Sequence, residues 1–224
     1  MNKVIKYVEI VLLIIMLIIV SFSVFSKNTT EVTEDIDVLD LERVNNLMIV
    51  AHPDDETIFG GEHLLKDNYL VVCVTCVDEE RIKEFEKVMA KSGNEYIILG
   101  YPDKTNGEKD DWVTSYEGIK SDLSEIIDYK DWKTIVTHNP DGEYGHIHHK
   151  MLSKIVTSIA NKNKIYYFNH YYTDEELDKM NVEESEYFSG KLELFKIYKS
   201  QSAIVENHYK NSRNEMFISY YSWE

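Results

Sequence analysis

The fold of this chain is decided by one stretch, Leu47-Met48-Ile49-Val50-Ala51-His52-Pro53-Asp54-Asp55-Glu56. Its apolar first half is typical of a buried β-strand, and the strand ends at a histidine, a proline and three consecutive carboxylates. Open α/β sheets bind their ligands beyond the carboxyl ends of the strands. Histidine and aspartate are ligands for zinc, and a neighbouring carboxylate that is not a ligand can act as a base. The alternative interpretation is a turn whose acidic residues favour a helix N-terminus.

Strands and helices are predicted to alternate along the rest of the chain. The strands are predicted at 47–50, 70–77, 96–99, 134–137 and 164–168, and the helices at 57–66, 79–92, 116–129 and 150–160. This alternation is typical of βαβ units. The sequence therefore predicts an α/β fold, a Rossmann-like, mostly parallel sheet with helices on both faces, preceded by one N-terminal transmembrane helix. No G-x-G-x-x-G follows the first strand, so the dinucleotide fingerprint is absent.

The composition favours one acidic domain and argues against two classes of partner. The chain has 224 residues, with 40 Asp and Glu against 24 Lys and Arg, and a formal net charge of -16. Nucleic acids require clustered basic residues for phosphate contacts, and binding to anionic lipid through a basic patch has the same requirement. We therefore expect no nucleic-acid partner. The sequence indicates no particular protein partner.

The N-terminus carries an apolar segment that approaches the length needed to cross a membrane. Residues 10–20 are all apolar, and Lys3 and Lys6 precede them, which predicts that the short N-terminus stays in the cytoplasm. The predicted boundaries are a short cytoplasmic N-terminus at 1–7, a transmembrane anchor at 8–26, a polar acidic stalk at 27–45 and the functional domain at 46–224. We expect a single-pass protein of the cell membrane with its domain on the extracytoplasmic side. A cleaved signal peptide, which would give a secreted protein, is the alternative.

A second polar cluster, His146-Ile147-His148-His149, follows the fourth predicted strand. Because the carboxyl ends of parallel strands meet at one edge of a sheet, this cluster is expected to lie close to the His52 group. On a starting helix, His146 and His149 are one turn apart and share a face. A histidine, a carboxylate and a second histidine form an open three-ligand zinc site. The alternative is a solvated, histidine-rich loop.

Two motifs give the chain a resemblance to a known family. Ala51-His52-Pro53-Asp54-Asp55-Glu56, followed by Tyr144-Gly145-His146-x-x-His149, resembles the PIG-L/LmbE-like family of zinc-dependent N-deacetylases. The resemblance extends from residue 47 to the C-terminus and includes Arg81-x-x-Glu84 and Leu99-Gly100-Tyr101-Pro102-Asp103. Members of this family are Rossmann-like enzymes that act on N-acetylglucosaminyl groups and related amides. The resemblance therefore implies an amino-sugar-containing small molecule or glycan as the substrate, and 46–224 as the catalytic domain.

The resemblance also implies a metal centre and a base. The implied ligands are His52, Asp55 and His149, and the implied metal is Zn²⁺, although Fe²⁺ also suits such ligands. Asp54 is implied as the general base. Amide hydrolysis at neutral pH needs this combination, because a metal activates water and polarises the carbonyl while a base that is not a ligand accepts the proton.

The remaining implied roles belong to residues around that centre. The resemblance implies that His146 stabilises the oxyanion or protonates the leaving amine, and that Tyr144 polarises the substrate carbonyl. It implies that Arg81 and Asp103 contact the sugar. Among the aromatic residues, Trp112 lies in a polar loop and is the one expected to be available for stacking on a sugar ring.

One departure from the family pattern leaves the function open to alternatives. Family members commonly have H-P-D-H where this chain has His146-Ile147-His148-His149, so His148 replaces an aspartate that orients a histidine. The leading hypothesis is a metal-dependent hydrolase that removes the N-acetyl group from an acetylated amino sugar outside the cytoplasmic membrane. The alternatives are a zinc amidase or deacetylase acting on a non-sugar amide, and a non-catalytic glycan-binding surface protein on the same scaffold.

Overall fold

The computed structural model of the protein describes Met16 and residues 35–75, 78–182 and 184–223. Its central sheet contains β1 (Asn46–Val50), β2 (Tyr69–Thr75), β3 (Glu95–Tyr101), β6 (Thr134–Thr137), β7 (Ile165–Phe168) and β8 (Phe217–Ser219). The strands lie in the order β3-β2-β1-β6-β7-β8, and every neighbouring pair is parallel except β7 with β8. Between β3 and β6, the strands β4 (Lys104–Thr105) and β5 (Glu108–Lys109) form a small antiparallel hairpin. The prediction of a mostly parallel sheet is confirmed.

Helices cover both faces of this sheet. They are α1 (Asp55–Lys66), α2 (Glu79–Ser92), α3 (Tyr116–Asp128), α4 (Ile147–Ile159), α5 (Asp174–Leu177), α6 (Phe188–Phe195) and α7 (Ser202–Ser212). Alternate residues of a strand point to opposite faces, so Leu47 of β1 packs in one core with α3 and α4. Met48 packs in the other core with α1, α2, α6 and α7. The alternation of strands with helices thus produces the two-sided α/β architecture expected from the sequence.

The neighbouring strands β1 and β6 mark the point where the strand order reverses. From β1 the chain continues through α1 to β2 and β3 on one side, and it returns through α3 to β6 on the other side. In an open α/β sheet, ligands bind beyond the carboxyl ends of the strands at such a switch point. The His52 group follows β1 and the histidine cluster follows β6. The topology therefore brings both sequence motifs to the position where this architecture forms its binding sites.

The N-terminal predictions fall largely outside the described residues. Apart from Met16, the transmembrane helix predicted at 8–26 is not among them, and within the described ranges every helix is too short or too polar to span a bilayer. Of the segment predicted as a stalk, residues 35–45 are described. Ile36 and Val44 are buried in the core that contains Leu47, whereas Val38 is exposed. This part of the segment therefore packs against the domain.

Candidate active site

Three buried side chains face one another where β1 and β6 end. The distances between their nearest atoms are 3.1 Å from His52 Nδ1 to Asp55 Oδ2, 3.3 Å from Asp55 Oδ2 to His149 Nε2, and 3.4 Å from His149 Nε2 to His52 Nδ1. A tetrahedral zinc ion with bonds of about 2.0–2.1 Å separates its ligand atoms by about 3.3 Å. The donor set and the spacing therefore fit a zinc-like ion, and the structure brings together the three residues predicted as ligands.

Asp55 is ionised in this arrangement. Burial alone would raise the pKa of its carboxyl group, but His149 and His138 outweigh that effect and hold the pKa well below its usual range. The backbone N–H of His52 also donates to Asp55 Oδ2 at 2.9 Å. The carboxylate is thus held in the charged form that a metal ligand requires.

Glu143 orients the histidine ligand from the second strand. Its Oε2 accepts hydrogen bonds from Nδ1 of His149 at 2.6 Å and from Nδ1 of His138 at 2.9 Å. The backbone N–H of Ala51 donates to His138 Nε2 at 3.0 Å, which holds the His138 ring in place beside Glu143. Because His149 donates from Nδ1, its Nε2 lone pair is directed towards Asp55 and His52. Metal-binding histidines are commonly fixed in this way by a carboxylate.

Asp54 lies beside the three potential ligands in a strained backbone conformation. Its φ angle is 116°, and its backbone N–H donates to Oε2 of the buried Glu56 at 3.0 Å. The Arg81 guanidinium donates to the Pro53 carbonyl at 2.8 Å and lies 3.4 Å from Asp54 Oδ2. Burial and the adjacent Asp55 carboxylate raise the pKa of Asp54 well above its usual range. Backbone strain of this kind persists where the surroundings enforce it and is concentrated at functional sites.

His146 stands at the N-terminus of α4, next to the three potential ligands. The helix begins at Ile147 and not at the predicted residue 150, because His146 Nδ1 caps it by accepting the backbone N–H of His148 at 3.3 Å. The His146 ring lies 4.8 Å from the His52 ring and 4.6 Å from the His149 ring. Burial, together with these two histidines, lowers the pKa of His146 to about 3. The ring is therefore neutral at pH 7, with its proton on Nε2.

Aromatic side chains form one wall of the site. Tyr144 is about half exposed and stacks on His208 at 4.6 Å, and its ring lies 5.6 Å from the His149 ring. The Tyr171 hydroxyl is hydrogen-bonded to His208 Nδ1 at 2.7 Å. Tyr144 thus lies at the edge of the centre, with its position supported by residues from the C-terminal part of the chain.

Asp103 and His148 approach His52 from the side opposite the potential metal. Asp103 Oδ1 is 3.4 Å from His52 Nε2, and this interaction contributes to a lowering of the pKa of Asp103 to about 2. His148 Nδ1 is closer, at 3.0 Å from the same nitrogen. Trp112 does not face a sugar site: it is fully buried and stacks on the His148 ring at 4.3 Å. The expectation that Trp112 is available to a sugar ring is wrong, because the loop that carries it folds inward over His148.

Comparison with known proteins identifies the family of this chain. The family model described as "PIG-L: GlcNAc-PI de-N-acetylase" matches residues 47–160. The chain belongs to the PIG-L family.

Similarity to known proteins extends beyond the segment that the family model matches. An uncharacterized protein of Acanthamoeba polyphaga mimivirus is 29% identical over 195 residues, covering 79% of this chain and 80% of the relative. The N,N'-diacetylchitobiose deacetylase from Pyrococcus horikoshii has a TM-score of 0.55 at 18% identity, covering 86% of this chain and 84% of that chain. The 4-carboxy-2-hydroxymuconate hydratase GalB from Pseudomonas putida has a TM-score of 0.53 at 12% identity, covering 75% and 84%. The two structural likenesses show the fold.

Membership of the PIG-L family supports, in general terms, a hydrolase of the amino-sugar N-deacetylase type. All the residues predicted for the site lie within the matched segment 47–160. Two further residues that contact the ligand-like set, His138 and Glu143, also lie there and were not predicted from the sequence as site residues. Both follow β6, so the strand-end argument that placed the cluster at 146–149 beside His52 applies to them as well. His208 lies outside the matched segment and carried no such signal.

Proposed function

We propose that the protein is a metal-dependent N-deacetylase that removes the acetyl group from an acetylated amino sugar. The observation that carries the proposal is the ligand-like spacing of His52, Asp55 and His149 beside Asp54, a buried carboxylate outside that ligand set. Family membership points in the same direction, and a structural neighbour is named as a chitobiose deacetylase. The substrate class is therefore an N-acetylglucosaminyl glycan or glycolipid.

His52, Asp55 and His149 would hold the metal. We propose zinc, with ferrous iron as the alternative, because both suit two imidazoles and one carboxylate. When bound, such an ion would polarise the amide carbonyl and lower the pKa of a water molecule to about 7. Glu143 keeps His149 in the tautomer that binding requires.

Asp54 would move the proton. It would accept a proton from the water that attacks the acetyl carbonyl and pass that proton to the amide nitrogen as the C–N bond breaks. The products are the free amine and acetic acid, and Asp54 returns to its ionised form. The raised pKa of Asp54 suits this role, because a stronger base retains the proton until the nitrogen can accept it.

His146 would stabilise the oxyanion by donating a hydrogen bond. Of the two roles predicted for it, this one agrees better with the structure, because the ring is neutral and Nε2 carries the proton that points away from the helix cap. Tyr144 would provide a second donor at the edge of the site. Preorganised donors of this kind typically contribute about 2.7–4 kcal/mol to lowering the barrier.

Arg81 and Asp103 would contact the sugar. Both side chains are partly exposed, at 19% for Arg81 and 27% for Asp103, and both border the centre. Arg81 already contacts the Pro53 carbonyl and Asp54, so a sugar hydroxyl bound there would lie close to the proposed base. This arrangement would position the N-acetyl group relative to the attacking water.

A screen of acetate release tests the proposed function. Purified full-length protein is incubated with N-acetylglucosamine-containing glycans, with N-acetylated thiol conjugates and with acetylated peptides. We expect release from the glycans, loss of release after treatment with a chelator, and recovery on addition of zinc. Release from the peptides or thiol conjugates alone would contradict the amino-sugar assignment. Binding of glycan without any release would indicate a non-catalytic protein.

We also propose that the domain acts outside the cytoplasmic membrane. The support is the apolar segment at 8–26, which follows two lysines. A protease added to intact cells that express the full chain should digest the domain. Protection of the domain in intact cells, with digestion only after lysis, would contradict this location.

A further inference from the structure

His148 is wholly buried next to the proposed metal centre and has no part in the chemistry described above. Its Nε2 lies 2.6 Å from the backbone carbonyl oxygen of Asp110, and its Nδ1 lies 3.0 Å from Nε2 of His52. The imidazole therefore bridges a potential ligand and the backbone of another loop.

The hydrogen-bond partners determine which nitrogen of each ring carries a proton. A carbonyl oxygen only accepts, so His148 Nε2 must be the donor to Asp110. The neutral ring then has its lone pair on Nδ1, directed at His52 Nε2. Because His148 Nδ1 can then only accept, His52 Nε2 must carry the proton and donate across the 3.0 Å contact. This leaves His52 Nδ1, which faces Asp55 and His149, for the proposed metal. The direction of the bridge is thus from His52 to His148 to the Asp110 carbonyl.

We propose that His148 is a positioning residue that fixes the orientation and tautomer of His52 through this neutral imidazole bridge. Metal-binding histidines almost always donate their second N–H group to a partner that sets the orientation of the ring. Here that partner is a second histidine held by a backbone carbonyl. The inference rests on the proposed metal centre.

The loop that carries Asp110 is held rigidly enough for this task. The Trp112 ring lies parallel to the His148 ring at 4.3 Å, and its Nε1 donates to the Pro102 carbonyl at 2.9 Å. The backbone N–H of Trp112 donates to Asp110 Oδ1 at 2.6 Å, and that of Asp110 donates to the Asp103 carbonyl at 2.9 Å. His148 is therefore fixed by stacking on one side and by a hydrogen bond at its far end.

Asp103 is the competing partner for His52. Its Oδ1 lies 3.4 Å from His52 Nε2, compared with 3.0 Å for His148 Nδ1. The Asp103 side chain is also 27% exposed, whereas that of His148 has no exposure. The shorter and fully buried contact identifies His148 as the principal partner. A variant of Asp103 therefore serves as the comparison in the test.

The test compares zinc affinity in variants that keep or remove the nitrogen atoms of residue 148. H148F retains a flat ring on Trp112 but has no acceptor for His52, and H148Q retains one acceptor and one donor. We expect the full-length H148F protein to bind zinc about 10–100-fold more weakly and to show an altered visible spectrum with Co²⁺. H148Q should recover most of the affinity, and D103L should lose less affinity than H148F. Competition with a chromophoric chelator measures each affinity.

Four outcomes would overturn the inference. The first is an unchanged zinc affinity and Co²⁺ spectrum in H148F, and the second is a larger loss of zinc affinity in D103L than in H148F. The third is failure of the wild type to bind zinc. The fourth is a wild type that binds two zinc ions, one of which is lost in H148F. The last result would make His148 a ligand. If thermal unfolding shows that metal-free H148F is not folded, the smaller H148L replaces it. A wild type that binds zinc but releases no acetate would contradict the proposed function alone.

Discussion

The carboxylate of Glu143 accepts a hydrogen bond from Nδ1 of His149 at 2.6 Å inside the protein. Burial alone would raise the pKa of Glu143, but His138 and His149 outweigh it and lower that pKa to about 2. The carboxylate is therefore ionised and fixes the His149 ring with Nε2 towards Asp55. A single acidic residue in the loop after β6 thus orients one of the proposed metal ligands, His149.

The first prediction concerns Glu143→Gln. The two carboxylate oxygens of Glu143 accept hydrogen bonds from three N–H groups, those of Asn139, His138 and His149. The amide NH₂ of a glutamine would face one or more of these N–H groups with a second donor. We expect zinc affinity to fall about 10–100-fold, measured by chelator competition. Asp141→Asn is the matched control, because Asp141 is exposed in the same loop. Equal affinities in the two variants would contradict the role assigned to Glu143.

The second prediction concerns the substitution Gly142→Ala. Gly142 lies immediately before Glu143. Gly142 has a φ of +68°, and an added Cβ would lie 2.7 Å from the backbone oxygen of His146. We expect lower stability in denaturant unfolding and weaker zinc binding. Gly107→Ala is the control: its φ is +86°, but its Cβ would meet nothing within 4 Å, so it should cost only the about 1–2 kcal/mol of backbone strain. If the two variants have the same stability and the same zinc affinity, the loop around Gly142 shifts to accept the added Cβ, and the prediction is wrong.

The third prediction concerns the buried pair of Lys191 and Glu215 behind the site. Lys191 Nζ lies 2.6 Å from Glu215 Oε2, and both side chains are buried. Lys191→Met removes the buried ammonium group that pairs with the carboxylate, so we expect a loss of about 3–5 kcal/mol in the free energy of unfolding at pH 7. Lys179→Met, which breaks an exposed pair with Glu175, is the control and should have little effect. A similar small effect for Lys191→Met would contradict the importance of the buried pair.

The same pair predicts that the free energy of unfolding depends on pH. Burial alone would raise the pKa of Glu215, but Lys191 and His63 outweigh it and hold the pKa below its usual value of 4.5. A carboxyl group whose pKa is lowered on folding stabilises the protein above its unfolded pKa and loses that contribution as the pH falls through the folded pKa. The difference in unfolding free energy between wild type and Lys191→Met should therefore narrow below about pH 4.5. A difference that stays constant down to pH 3 would contradict this assignment.

The proximity of the two polar clusters could be predicted from the sequence because it depends on topology. His52 and His149 each follow a strand, and in a mostly parallel sheet the two strand ends meet at one edge. Asp55 is three residues from His52, so local geometry brings it to the same point. Periodicity and strand order thus bring the clusters together, and the resemblance to the PIG-L/LmbE-like family selects these three residues within them.

The environment of His148 could not be predicted in this way. Its contact with Asp110 and Trp112 depends on how the segment around the β4–β5 hairpin folds over the end of the sheet. A polar loop sequence gives no periodic signal for such a packing, so Trp112 was expected to be accessible and is buried. The helices α5, α6 and α7 likewise lie beyond the last predicted strand. The contact between His208, on α7, and Tyr144 was therefore not predicted either.

The measurement that tests the central claim most directly is acetate release by Asp54→Asn with zinc bound. Asparagine has the same size as aspartate and, like it, is among the residues enriched at positive φ, but its amide cannot take up a proton from water. We predict that the variant binds zinc as the wild type does and releases acetate from an N-acetylglucosamine-containing substrate at least about 100-fold more slowly. Acetate release at the wild-type rate would contradict the assignment of Asp54 as the base and, with it, the proposed mechanism.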